Sequence, residues 1–449
     1  IKLQWDKNTS ADGYMIDVYD GTKWKPIKTF TSNANTSFDI KGLKASLTYK
    51  FRMRAYKTFG SVTEYSNAVY LNVNTNPNTP TGMKCVAKTS SEIKLQWDKN
   101  TSADGYMIDV YDGTKWKPIK TFTSNANTSY DIVGLHAGTT YKFRLRAYKA
   151  FGSVTEYSAY SAELNVTTDP SVITGAVLGG RAADALRVNW NKNTSADGYI
   201  VEMYQGENWV RVAKITDNST TTFRKAGLAP STVYKFRVRA YKIDGKAELY
   251  GNYSSTVTAR TNPSVITGAV LGGRAADALR VNWSKNTSAD GYIVEMYQGE
   301  NWVRVAKITD NSTTTFRKAG LDASTVYKFR VRAYKMDGTT ALYGNYSSTV
   351  TARTNPSVMT GVKIGGVAND ALRVNWNKNA SAQGYIIEMY QGEKWLRVAK
   401  ITDNNTTTFR KAGLAKNTTY KFRVKAYYMS GKTALYGNYG SVSGKTAAK

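Results

Sequence analysis

A ten-residue alternation, Thr232–Tyr241, constrains this chain more than any other feature. Tyr234, Phe236, Val238 and Ala240 fall on one face, and Lys235, Arg237, Arg239 and Tyr241 on the other. A period of two with apolar residues on one side specifies a half-buried β-strand. Near-copies recur at Leu47–Tyr56, Thr139–Tyr148, Thr325–Tyr334 and Thr418–Tyr427. Tryptophans keep the same rhythm: Trp5, Trp97, Trp190, Trp283 and Trp376 are separated by 92 residues and then by 93 three times. Repeats of that size can each bury a modest core. The predicted domains are therefore 1–77, 78–170, 171–263, 264–356 and 357–449.

The third repeat, Ser171–Pro263, stands for the rest. Ala185–Trp190 alternates, with Leu186, Val188 and Trp190 inward. Asn193–Gly198 is turn chemistry, short polar side chains followed by glycine. Tyr199, Val201 and Met203 point inward on the next strand, and further short strands follow at Trp209–Ile215, Thr220–Phe223, Tyr234–Lys242 and Ser255–Arg260, with a Gly-containing loop before the last. With Gly175–Leu178 as a short first strand, seven short strands and no helical periodicity predict an all-β antiparallel sandwich. Each junction is short and carries a proline (Pro77, Pro170, Pro263, Pro356). Such junctions favour an extended array, about 30 Å per repeat and on the order of 150 Å in all. The first repeat lacks a counterpart of Thr81–Ser91, so the chain is expected to be a piece of something longer, or to receive a strand from another chain.

Trp190, Gly198-Tyr199, and then Leu228-Ala-Pro-Ser-Thr-Val-Tyr234-Lys-Phe-Arg-Val-Arg-Ala240 together resemble the fibronectin type III domain. The resemblance covers all five repeats and implies five immunoglobulin-like seven-stranded sandwiches. It also implies a tyrosine corner, in which the tyrosine hydroxyl bonds backbone upstream of its strand, at Tyr49, Tyr141, Tyr234, Tyr327 and Tyr420. Pro230 is replaced by Ala45, Ala137, Ala323 and Lys416 elsewhere. The second tryptophan of each repeat resembles bacterial extracellular members. No Arg-Gly-Asp motif occurs, so an integrin-binding role is not carried over.

Little in the chain points to catalysis, a cofactor or a metal. The single histidine, His136, lies in a loop where other repeats carry Lys44, Ala229, Asp322 and Ala415. The Asn193–Gly198 turn has too few carboxylates for a calcium loop. Cys85, the one cysteine, excludes an intrachain disulfide and reads as a small core residue. No apolar run is long enough to span a membrane.

Charge is more informative. Lysine plus arginine number 62 against 33 acids, a formal net charge of +29. The third repeat alone has thirteen basic and seven acidic residues, so the excess is spread evenly. Evenly basic surfaces attract anionic polymers, although solubility is the simpler explanation. Nucleic acid is disfavoured, because nothing resembles a groove-reading module. The candidate contact residues are the outer tryptophans, Trp24, Trp116, Trp209, Trp302 and Trp395, and the basic stripes Lys235, Arg237, Arg239 and Lys328, Arg330, Arg332. The resemblance to the fibronectin type III fold implies that the neighbouring strand carries outward Glu202, close enough for a cross-strand pair, and arginine stacking on the outer rings would be favourable.

Ser171–Leu228 and Ser264–Leu321 differ only at Asn191 and Ser284. Identical copies add length or multiply a weak contact; they add no new chemistry. The expected roles are a non-catalytic extracellular rod, stalk or filament subunit, self-associating or touching a neighbouring surface protein. The alternatives are an adhesin or wall-associated array gripping anionic cell-wall or host glycans, and an ancillary region of a secreted glycan-degrading enzyme.

Overall fold

The computed structural model describes residues Ile1–Lys449. Every paired strand is antiparallel and there is no helix. The chain forms two compact units. The first comprises Ile1–Ala176, Trp190–Thr221 and Arg237–Thr256; the second comprises Val177–Asn189, Thr222–Phe236 and Val257–Lys449.

In the second unit the fourth repeat shows the plan. One sheet has three strands, in the order Val270–Arg274, Ala278–Asn282, Thr315–Ala319. The facing sheet has five. Its path runs Asn301–Ile308, Gly291–Gln298, Val326–Asp337, Thr340–Tyr346, and Val350–Arg353 pairs with the far half of Val326–Asp337. Inward residues of both sheets form one core: Leu279, Val281, Trp283, Tyr292, Val294, Met296, Phe329 and Val331 are all buried. The Trp283 and Tyr292 rings meet edge to face at 5.3 Å. The fully buried Tyr292 hydroxyl accepts a bond from the Asn286 amide (3.0 Å) and donates to the Asn311 carbonyl (2.8 Å), so a polar atom placed in the core keeps both partners. Ile266, from the segment after the junction proline, closes one end of this core. The fifth repeat is built alike around Trp376, Tyr385 and Phe422.

The first unit holds the same design in the second repeat, around Trp97, Tyr106 and Phe143. Cys85 is half-buried against that core. The first repeat has only Lys2–Gln4 and Ser37–Asp39 in its smaller sheet, and a groove of about 440 Å³ opens beside Leu3, Trp5, Phe51 and Leu71.

The sequence reading expects a Gly-containing loop after the long strand. A hairpin stands there instead. Asp337 pairs with Thr340 across a two-residue turn in which Gly338 has φ of 60°, and the chain then runs back beside the long strand in the same sheet, with the Tyr343 and Tyr346 rings reaching over the outer face. Consequently Gly291–Gln298 is buried on both faces through Met296, not on one.

A cation–aromatic ladder on the outer sheet face

The long strand of the fourth repeat aims Lys328, Arg330 and Arg332 outward, as its alternation requires. The neighbouring strand places Glu295 directly opposite Arg330. Glu295 Oε2 accepts from Arg330 Nε (2.9 Å) and Nη2 (2.6 Å), and Oε1 accepts from the Tyr346 hydroxyl (2.7 Å). Arg332 approaches the same carboxylate at 3.7 Å. Only 7% of Glu295 is exposed, so these partners supply what water would otherwise supply. Burial, followed by the bond to Glu295, raises the Tyr346 hydroxyl above the ordinary phenol value.

The aromatic rings interleave with these cations. Arg330 lies 4.3 Å from the Trp302 ring and 3.6 Å from that of Tyr346. Arg332 lies 4.7 Å from Tyr346 and 4.2 Å from Tyr343. At the other end Tyr297 packs edge to face on Trp302 at 5.4 Å, with Lys328 Nζ 5.5 Å from the Tyr297 ring. Each such contact is worth about 0.5–1 kcal/mol when exposed and about 2 when desolvated.

The ladder recurs. In the third repeat Arg237 sits between Trp209 (4.4 Å) and Tyr253 (3.6 Å), and Arg239 between Tyr253 (4.8 Å) and Tyr250 (4.0 Å). Glu202 accepts from both Arg237 and Tyr253. Lys235 is also engaged. In the second repeat the order is Trp116, Arg144, Tyr160, Arg146, Tyr157 around Asp109. In the fifth it is Trp395, Arg423, Tyr439, Lys425, Tyr436 around Glu388. Burial would raise the Glu388 carboxyl, but Arg423 and Lys425 outweigh it and hold the group below its ordinary value. In the first repeat Trp24 stacks with Arg52 and Arg54 with Tyr65, but no ring bridges the two arginines.

The outward cations named from the sequence are thus brought together with the outer tryptophans, and their guanidinium groups are largely occupied within the repeat. Sequence reasoning missed the central rings Tyr160, Tyr253, Tyr346 and Tyr439. The recurring Tyr-Gly-Asn-Tyr stretch (Tyr250–Tyr253, Tyr343–Tyr346, Tyr436–Tyr439) was the available signal.

A second set of recurring contacts surrounds the long strand's entry. The hydroxyls of Tyr49, Tyr141, Tyr234, Tyr327 and Tyr420 each accept from a backbone N–H five residues upstream, at 2.8–2.9 Å. His136 is exposed and supplies one of those N–H groups. The intervening Ser46, Ser231, Ser324 and Asn417 take positive φ. From there the Ser324 hydroxyl donates to the Ser381 carbonyl of the next repeat (2.5 Å), and Ser46 does the same to Ser102. Buried Asn286 donates to the Ser264 carbonyl (2.8 Å), and Ser264 N–H to Ser288 Oγ (3.0 Å). Asn100, Asn193 and Asn379 fasten their own junctions likewise. No group of three or more His, Cys, Asp or Glu side chains is placed to hold a metal.

Paired antiparallel sheets, a buried tryptophan and a tyrosine corner define an array of immunoglobulin-like β-sandwiches. Residues 78–163 and 176–258 match the family described as "Fibronectin type III domain", and the chain carries tandem fibronectin type III domains. It is similar to receptor-type tyrosine-protein phosphatase eta of Gallus gallus, 26% identical over 97% of this chain and 30% of that protein. It is also similar to exoglucanase B of Cellulomonas fimi, 30% identical over 58% of this chain and 24% of that protein. The chain therefore spans less than a third of the length of these curated relatives. A solved structure of chicken CNTN1 FN1–FN3 domains covers 62% of the chain at 21% identity, with a TM-score of 0.27.

Proposed function

We propose that this chain is a non-catalytic spacer in an extracellular or cell-surface protein, five repeats bounded near residues 77, 170, 263 and 356, which sets distance by number of copies. The observation that carries this reading is the recurrence of the same repeat-to-repeat bond, Ser46 to Ser102 and Ser324 to Ser381. A hydroxyl held at positive φ and directed at the next repeat serves to fix an angle. The unit's other junction contacts act in the same sense: Arg260 Nε lies 3.1 Å from Asp337, and Arg353 stacks 4.5 Å from Tyr428. Small-angle scattering tests the reading. A maximum dimension on the order of 150 Å, from about 30 Å per repeat, supports it; a globular envelope overturns it. Sedimentation of the same sample reports whether copies associate into filaments, or whether a neighbouring protein is needed.

Two further readings have their own support. Net charge of +29 favours contact with anionic cell-wall or host glycans. The likeness to exoglucanase B of Cellulomonas fimi favours an ancillary region of a secreted glycan-degrading enzyme, and the sequence of the whole gene decides that point.

A further inference from the structure

The smaller sheet carries a charge arrangement that the ladder does not explain. In the third repeat Arg187 pairs in register with Arg224, and in the fourth and fifth repeats Arg280 pairs with Arg317 and Arg373 with Arg410. Like charges directly opposite on one sheet face repel. The second repeat has Lys94 opposite Asp131 at this register, and the first has Lys2 opposite Asp39. The fold accommodates an attractive pair here, yet three repeats hold a repulsive one.

The third strand opens the site further. Gly180, Gly273 and Gly366 lie opposite Arg187, Arg280 and Arg373, so no side chain covers the inner arginine. A bulge at Gly179 and its equivalents sets this register; at Gly272 a Cβ would run into the Asn282 amide. Beside each of the first two pairs lies a shallow groove, of about 240 Å³ in the third repeat and 230 Å³ in the fourth. A third arginine, Arg181 or Arg274, borders it, and one guanidinium nitrogen of Arg181 is buried without a hydrogen-bond partner. The only nearby acids, Asp184, Asp277 and Asp370, reach the outer arginine at 3.7 Å with both groups well exposed, a weak pairing in water. The inner arginines make no ion pair.

We propose that the Gly–Arg–Arg triplets of the third, fourth and fifth repeats are binding sites for the oxyanion groups of an anionic polysaccharide. Two guanidinium forks facing one gap suit a sulfate or carboxylate, which relieves their repulsion and accepts paired N–H bonds. The groove has no aromatic lining, so it lacks the stacking platform that single-stranded nucleic acid uses. Repetition of one shallow site suits a polymer of repeating charge, whose avidity grows with the number of sites engaged. The proposal rests on the glycan-contact reading and locates it on the sheet opposite the ladder.

The test compares two charge-matched variants of the full chain. One carries Arg224→Asp, Arg317→Asp and Arg410→Asp, which install the acid that the second repeat already tolerates. The other carries Lys192→Asp, Lys285→Asp and Lys378→Asp, exposed residues away from the triplets. Binding is measured to heparin, to hyaluronate and to a single-stranded oligonucleotide at fixed salt, with thermal unfolding as the fold control. The arginine variant is expected to lose heparin binding by ~100-fold, as lost avidity implies, while unfolding no earlier than the wild type. The lysine variant should lose about threefold or less. Hyaluronate bound as well as heparin places carboxylate among the ligands, and heparin alone restricts them to sulfate; both support the site. Equal losses in the two variants overturn the site but leave general glycan attraction standing. No heparin or hyaluronate binding by the wild type, or tighter oligonucleotide binding lost through the arginine changes, overturns the proposal.

Discussion

The first and fourth repeats carry nearly the same strands but differ in closure. In the fourth, Ile266, Val350 and Ala352 are buried in the core, and Leu271 packs against it. In the first, Val69 and Leu71 on the corresponding last strand are 68% and 48% exposed, and Met53 and Ala55 are half-buried rather than buried. The contrast teaches what the first strand of a complete repeat does. It pairs with only one neighbour, but it and the residues leading into it cover one end of both sheets. The outer faces differ in parallel. Tyr346 bridges two arginines over Glu295 in the fourth repeat, whereas in the first Trp24 packs against Tyr70, itself 63% exposed.

Core truncation should sharpen this contrast most. Trp283→Ala removes a ring that is 5% exposed and is expected to cost about 3–5 kcal/mol. Trp5→Ala, at the edge of an open groove, should cost less, because its site can collapse or admit water. Denaturant unfolding read by repeat-resolved hydrogen exchange gives both values; equal costs would break the comparison.

Removing one ladder cation comes next. Arg330→Ala leaves the Glu295 carboxylate buried with Tyr346 as its nearest remaining partner, at an expected cost of about 2–3 kcal/mol. Arg52→Ala should cost less where no central ring stacks on the cation. Junction asparagines follow. Asn286→Ala strands the Ser264 carbonyl and should cost about 1–2 kcal/mol. The equivalent Asn8 is exposed and bonds only within its own repeat, so Asn8→Ala should fall within about 0.5 kcal/mol.

The smallest effect is that of acid. Burial would raise the Asp290 carboxyl, but the Lys335 and Met336 N–H bonds outweigh it and hold the group below its ordinary value of 3.8. Its folded state therefore binds its proton less readily than the unfolded chain does. The resulting stability is complete above the unfolded value and disappears as pH falls through the lower folded value. The fourth repeat should lose stability on acidification below about pH 4, and Asp290→Asn should flatten that dependence in a pH-resolved thermal melt.

Much of this was legible in the sequence. Period-two alternation gave the long strands and their inward residues, because sheet geometry allows only that spacing. Tryptophan spacing gave the repeat, and Leu228 to Tyr234 the corner. The ladder was legible in part: the arginines and the outer tryptophans could be named, but not Tyr253 or Tyr346. Those rings reach the outer face only because a hairpin folds back, and no local pattern encodes where a returning segment lands. The Arg187–Arg224 opposition was hidden for a related reason. Cross-strand neighbours depend on register, which alternation alone does not show, and the bulge at Gly179 that sets Gly180 opposite Arg187 is just as silent in the pattern.

Hydrogen exchange of the intact chain tests the central claim most directly, that the fourth repeat is closed by its own first strand and ladder whereas the first repeat is open on both counts. Amides of Tyr327–Arg332 should exchange at least about tenfold more slowly than those of Tyr49–Arg54, as a difference of about 1.4 kcal/mol or more in local opening requires. Equal protection of the two stretches would contradict it.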